Sequence, residues 1–250
     1  LDLDVAVHVK LAGLFGKLCG PHPIQEMRHE QEPSITVLNA NGGKVVAQGD
    51  PAGDDWIGTI PWHADRIYTD MPNRGALLRA IVIPEEAGQT GWIDTARVYR
   101  MLPDRIKSRL QGLRIIHSYS YSHSRQTMVG GKPTDLPDSI HPLVFVHPET
   151  DMPMLNIGPN TARELVGLPA EEGAELLQYL VDLSTREEDA YIHEWKTGDL
   201  IAWDNYRAIH RAYGHARRYP RVMHSLALDG HMKLGEIIHH GTLDNHRAMA

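Results

Sequence analysis

Cysteine is almost absent from this chain: Cys19 stands alone among 250 residues. No internal disulfide can form, a usage that fits a reducing, cytoplasmic setting. Positive charge is also scarce. Lys and Arg number 25 against 32 Asp and Glu, a formal net charge of −7, so no nucleic-acid partner is expected, because a polyanion rewards a basic face. No apolar run is long enough to span a bilayer, so no membrane partner is expected either. The opening LDLDVAVHVK is acidic where a secretory leader would be basic, which predicts no leader. Internal repeats and low-complexity tracts are missing. What remains suits one globular domain over 1–250: 42% of residues are hydrophobic and 23% charged. Histidine is plentiful at 16 residues, and the useful question is which few are spaced for chemistry.

The patterning predicts many short strands with a few helices at the edges. A first helix, DVAVHVKLAGLFGKL, is expected to run to the Gly20-Pro21 break. SITVLNA and KVVAQ read as strands joined at the NGG of 41–43, and ALLRAIVIP over 76–84 as a buried strand. Residues 95–111 read as helical, capped by Thr95 and stepped by Pro103. RIIHSYS reads as a strand. Residues 120–140 are polar and rich in Gly and Pro, which predicts a lid or binding loop. PLVFVHPETDMPMLNIG reads as a hairpin turning at PETD. The segment from Pro169 to about Ser184 reads as an amphipathic helix with Leu176, Leu177, Leu180 and Leu183 on one face. DAYIHEW, DLIAWDN, RAIHRAYG and RVMHSLALDG complete the set, with Asp204 and Asn205 shaping the turn before His210. The expected fold is mainly β with flanking helices, an antiparallel double-stranded β-helix or jelly roll.

The stretch PWHADRIYTD puts His63 and Asp65 two residues apart. On one strand such residues share a face. Alone, the pair is a weak signal, because with 16 histidines a chance match is expected, and it reads first as a surface pair. Other residues bear on it: His210 follows Asp65 by 145 residues, Arg221 follows His210 by 11, and Thr90 lies in EEAGQTGW.

Here the chain resembles the taurine dioxygenase-like (TauD/TfdA) family of Fe(II)/2-oxoglutarate-dependent oxygenases. The pieces that carry the resemblance are WHADRIYTDMP, GQTGWIDT, HPLVFVHPETDMPMLNI, VGLPAEEGAELLQYL and WKTGDLIAWDNYRAIHRA. It implies that His63, Asp65 and His210 bind Fe(II), since two imidazoles and a carboxylate leave one face of an octahedral iron open. It also implies that Arg221 pairs with the far carboxylate of 2-oxoglutarate and that Thr90 adds a hydroxyl bond to it. Arg221 also reads as a surface cation beside Arg217 and Arg218, and Thr90 as a turn or cap residue. The implied cofactors are Fe(II), 2-oxoglutarate and O2. The implied partners are a small-molecule substrate and further copies of the chain in a homo-oligomer. Family halogenases lack the carboxylate, so Asp65 implies an oxygenase.

The chain departs from the family at one position. Members acting on sulfonates or aryloxy acids carry an Arg four residues after the 2-oxoglutarate Arg, and here that position is Ser225. Ser supplies no charge, and an unpaired buried anion is costly. Trp56, Ile57, Ile60 and Pro61 make the approach to the His-Asp pair apolar, or are simply core. A neutral, hydrophobic substrate is therefore expected, such as a secondary metabolite, hydroxylated or else desaturated or epoxidised. The alternatives are catabolism of a small sulfonate or carboxylate and a metal/2-oxoglutarate-binding sensor without chemistry. The sensor reading predicts loss of one of the three ligands or of Arg221, and none is lost. A hydrolytic metalloenzyme would need a general base that the sequence does not nominate. His22, Ile60 and Ser225 are the candidate substrate contacts, with Tyr119, Tyr121, Arg125 and Met128 on the lid. His117, His123, His141, His147 and His193 read as ordinary histidines.

Overall fold

The computed structural model describes residues 4–22, 25–39, 55–119 and 138–238. Fourteen strands and four α-helices lie among them, and every strand pairing is antiparallel. One sheet has the order β1 (Thr36–Asn39), β13 (Val222–Leu228), β3 (Gly75–Val82), β11 (Leu200–Asp204). A second has β10 (Tyr191–His193), β4 (Thr90–Asp94), β12 (Ala208–Ala216), β2 (Trp56–His63). Leu78, Ala80 and Met223 of the first sheet and Trp92 of the second bury against Trp195, so the two sheets share an apolar interior. This is the mainly β jelly-roll architecture that the strand pattern predicts.

Side-chain alternation assigns the other faces. Leu77, Leu226 and Leu228 point away from that interior and pack on Ala12 of α1 (Val5–Gly13) and on Ile35. Ile93, Ile209 and Trp62 leave the back of the second sheet and join the largest core. There they meet α2 (Thr95–Met101), β5 (Arg114–His117), β9 (Ala162–Val166) and α4 (Ala170–Ser184). Helix α4 buries Leu176, Leu180 and Leu183, the stripe read from the sequence. β5 and β9 belong to a third sheet with β6 (Asp138–Pro142) and β14 (Glu236–Ile238), and β7 (Val144–Val146) pairs with β8 (Pro153–Leu155) as the expected hairpin.

Several expectations need correction. Helix α1 ends at Gly13, not at Gly20. Leu18 bridges to Leu228, and the Cys19 N–H donates to the Ala227 carbonyl, so pairing with β13 outcompetes continued helix. The cap of α2 is Asp94, not Thr95: its carboxylate accepts from Ala96 N at 2.9 Å and Arg97 N at 3.3 Å. Pro103 separates α2 from α3 (Asp104–Arg109) as anticipated. Residues 138–140, expected in the lid, open β6 instead. The remainder of the lid, 120–137, and the KVVAQ strand lie outside the described residues, as do His123, Tyr121, Arg125 and Met128. No described helix is long and apolar enough to cross a membrane.

Candidate metal centre

His63 is the last residue of β2, and His210 is its register partner on β12. The two rings lie 4.1 Å apart, centroid to centroid. Asp65 Oδ1 is 3.6 Å from His63 Nε2 and 3.7 Å from His210 Nε2. The three ligand atoms lie within 4.8 Å of one another, and among the described residues no other His/Cys/Asp/Glu group gathers this closely. His22 is not part of it; its carbonyl accepts from Arg28 Nε.

Asp65 is not on the strand with His63. β2 stops at His63, and Asp65 opens a turn in which Arg66 takes a positive φ of 53°. The shared face expected from strand alternation is thus produced by a turn. The side chain of Asn205 holds that turn: its Oδ1 accepts from Asp65 N at 2.8 Å, and its Nδ2 donates to Asp65 O at 2.9 Å.

The donor set suits a divalent transition metal. His63 Nδ1 lies 2.8 Å from the Pro61 carbonyl, which can only accept, so the proton sits on Nδ1 and the Nε2 lone pair faces the cluster. Burial, then proximity to His63, pushes His210 down to about 3, so its imidazole is neutral at neutral pH. Burial alone would raise the Asp65 carboxyl, but the His210 and His63 imidazoles and Arg66 outweigh it and hold it below the usual range. A fixed Nε2 lone pair on His63, a second neutral imidazole from His210 and one ionised carboxylate, with 31% of the carboxylate side chain still open, fit Fe(II) better than a closed zinc site.

Arg221 and Thr90 lie along the same sheet interior. Thr90 is two residues before Trp92, the register partner of His210 on the other side of β12. Two strand steps place it about 7 Å along the sheet from the level of His210. Its buried hydroxyl accepts from Trp195 Nε1 at 3.0 Å, which leaves the hydroxyl proton free to donate. Arg221 reaches the loop before β4 and donates from Nε to the Gly88 carbonyl at 3.2 Å. Gly88 has φ +78°, and a Cβ there would press on Pro84 and on Arg221 Nε. Among the described residues no carboxylate pairs with Arg221, and burial alone pushes its guanidinium down to about 10. A cation withdrawn from much of its water with no counter-ion is costly. It marks a place for an anionic ligand.

The candidate substrate residues divide. Ser225 alternates with buried Met223 and so faces the interior between the sheets. Ile60 pairs with Ala212 across a register break, so the extra residue on β2 turns Ile60 onto the face of His210. The Tyr119 ring packs at a tilt of 48° against that of Tyr68, centroids 4.8 Å apart. A hollow of about 580 Å³ sits on the back of the same sheet, lined by Trp62, Asn160, Glu187 and Arg211. It is not the candidate site, since Trp62 precedes and Arg211 follows a ligand on its strand and so both point to the opposite face, and Arg211 is already paired with Glu187.

Three contributors had no clear sequence signal: Asn205, Trp195, and His215, which is buried beside Arg221 with Nε2 unpartnered among the described residues. The ordinary reading of the other histidines stands where they are described: His147 bonds Asp204 and His193 bonds Asp199, each at 2.9 Å.

The chain belongs to the taurine catabolism dioxygenase TauD, TfdA family, whose model matches residues 1–227. It is 35% identical over 175 residues to an (S)-phenoxypropionate/alpha-ketoglutarate-dioxygenase of Sphingobium herbicidovorans, covering 66% of this chain and 61% of that protein. It is 26% identical over 233 residues to pentalenolactone F synthase of Streptomyces arenae, covering 86% and 72%. The crystal structure of a taurine dioxygenase from Burkholderia xenovorans superposes with a TM-score of 0.75 at 24% identity, over 98% of this chain and 81% of that one, a likeness of fold.

Proposed function

We propose that the chain is an Fe(II)- and 2-oxoglutarate-dependent oxygenase that oxidises a C–H bond of a neutral, largely apolar small molecule. The observation that carries the reading is a metal-binding trio on the same interior as a half-buried Arg221 with no counter-ion among the described residues. Iron(II) with O2 and 2-oxoglutarate supplies the oxidising power: one oxygen atom goes to the substrate C–H, the other to succinate, and CO2 leaves. The chain's own residues bind and orient. His63, Asp65 and His210 hold the metal from one side. Arg221 and the Thr90 hydroxyl hold the far carboxylate of 2-oxoglutarate. Trp203, whose ring lies 4.9 Å from that of His210, and Trp92 behind it exclude water from the ligand side.

Ser225 and Ile60 support the neutral-substrate part. Ser225 offers a hydroxyl and no charge where an anionic substrate would need a cation, and Ile60 turns apolar surface to the same interior. The similarity to pentalenolactone F synthase is consistent with a secondary metabolite. The similarity to a phenoxypropionate dioxygenase favours a second reading, an aryloxy acid or a related small anion, and Ser225 weighs against it.

The test is anaerobic. Fe(II) and then 2-oxoglutarate are added to the apoprotein, and the visible charge-transfer band of the chelated keto acid is recorded. We expect the band to form; its absence in metal-loaded protein would overturn the cosubstrate assignment. Succinate release is then compared over a panel of neutral terpenoid-like compounds, aryloxy acids and sulfate esters. Faster coupled release from the anions would replace the neutral reading with the second one. Ser225→Arg is expected to shift the ratio of kcat/KM towards the anions by at least about tenfold, or about 1.4 kcal/mol.

A further inference from the structure

The carboxylate ligand has a weakness that its two partners lack. His63 and His210 are locked by the ladder between β2 and β12. Asp65 lies two residues beyond the end of β2, and the chain turns away at Arg66 with φ 53°. No ladder partner remains for the Asp65 N–H and C=O, and both must still be satisfied. The Asn205 amide meets both, at 2.8 and 2.9 Å, and its second amide proton goes to the Asn73 carbonyl at 3.0 Å. An amide that accepts from N–H and donates to C=O of one residue does what a neighbouring strand would do. Asn205 itself is 5% exposed.

The turn that carries Asn205 is held independently. Its own N–H donates to the Arg74 carbonyl at 3.0 Å. Asp204 accepts from Tyr206 N at 2.9 Å and pairs with Arg74 at 2.6 Å and His147 at 2.9 Å. Arg207 forks onto Asp94 at 3.1 and 2.7 Å. The same turn leads from β11 directly into the strand of His210.

We propose that Asn205 is a positioning residue for the metal: it stands in for the missing strand partner of Asp65 and fixes the carboxylate against His63 and His210. This rests on reading the trio as the metal set. Because the turn feeds β12, one element sets the relative position of two of the three ligands, which come from regions 145 residues apart.

The experiment is anaerobic titration of Co(II) into apoprotein, read by its visible d–d absorption, with thermal unfolding of each apoprotein alongside. Asn205→Leu keeps the volume and removes all three bonds. It is expected to weaken Co(II) binding by about 10- to 100-fold, the usual size for an outer-shell partner, with a d–d band of changed intensity. Asn205→Asp keeps the acceptor for Asp65 N–H and loses both donors; it is expected to fall between and carries the test if the Leu variant does not fold. Arg207→Gln loosens the same turn without touching Asp65 and is expected to bind as wild type. Variant affinity within twofold of wild type, or an equal loss in Arg207→Gln, would overturn the inference and leave Asn205 a structural residue. Failure of the wild-type protein to bind Co(II) would instead overturn the reading of the trio.

Discussion

In an Arg221→Ala protein the 2-oxoglutarate concentration needed for half-saturation of the keto-acid band is expected to rise by roughly 30-fold to a few thousandfold, with Fe(II) binding unchanged. The range follows from the 2–5 kcal/mol typical of removing one partner from a buried, hydrogen-bonded charge pair. The upper half is favoured here. Arg221 is half-buried, no described carboxylate competes for it, and the ligand carboxylate would be left with the Thr90 hydroxyl alone. Arg221→Lys restores the charge but not the fork, and the Gly88 carbonyl would lose its planar donor, so partial recovery is expected. The Arg221→Ala apoprotein is expected to be at least as stable as wild type, because it loses a half-buried cation that no described carboxylate pairs. That last sign separates a ligand-binding Arg from a structural one. Equal 2-oxoglutarate affinity in wild type and Arg221→Ala, or marked destabilisation of the apoprotein, would move the co-substrate site elsewhere.

The strands, the α4 stripe and the H-x-D motif were legible because each is a local pattern. The Leu- and Ile-rich run predicts β3, strand-like runs predict β12 and β13, and the Leu176–Leu183 spacing predicts α4. What could not be read locally is which strands lie side by side. The pairing of His63 with His210 depends on β2 and β12 being neighbours, and nothing within either segment states that. It came only through resemblance. In sequence Asp204-Asn205 is a generic turn signal; in the structure the Asn205 amide is also spent on a residue 140 positions away. Likewise Thr95 and Asp94 are both acceptable caps in sequence. The carboxylate wins in the structure, where it also receives Arg207 from the turn before β12. The misread end of α1 has the same origin, since the competing partner at Leu228 lies at the far end of the chain.

Those long-range contacts also leave histidines in places where they cannot take a proton, and from this follows a steep loss of stability in mild acid. His141 is fully buried. Its Nε2 lies 2.9 Å from the Thr69 carbonyl, so it must donate, and its Nδ1 faces the Asn156 amide at 3.4 Å, so it accepts. A second proton would meet an N–H donor. Burial first holds it down to about 4, and Arg114 adds to this against the opposing Thr69 carbonyl and Asp70. His117, its ring 5.4 Å away, is pushed well below its ordinary value by burial and by His141 itself. His8, on the inner face of α1, is held to about 4 by burial, Arg79 and His224. For a histidine with a lowered folded-state pKa, stability is fully present above the unfolded value near 6.5 and is lost as pH falls from there towards 4. Across pH 6.5 to 5 each such group costs about 1.5 kcal/mol. His141 and His8 together then remove about 3 kcal/mol, a large part of a typical domain's 5–15. Urea unfolding of metal-free protein in chelator, at half-unit steps from pH 7.5 to 4.5, checks this. His141→Gln keeps a donor and an acceptor without titrating and is expected to be less stable at pH 7 yet to lose less between pH 6.5 and 5. A wild-type stability at pH 5 within 1 kcal/mol of its pH 7 value would mean that these imidazoles find room for their protons, and the buried-histidine account of the acid limb would be abandoned.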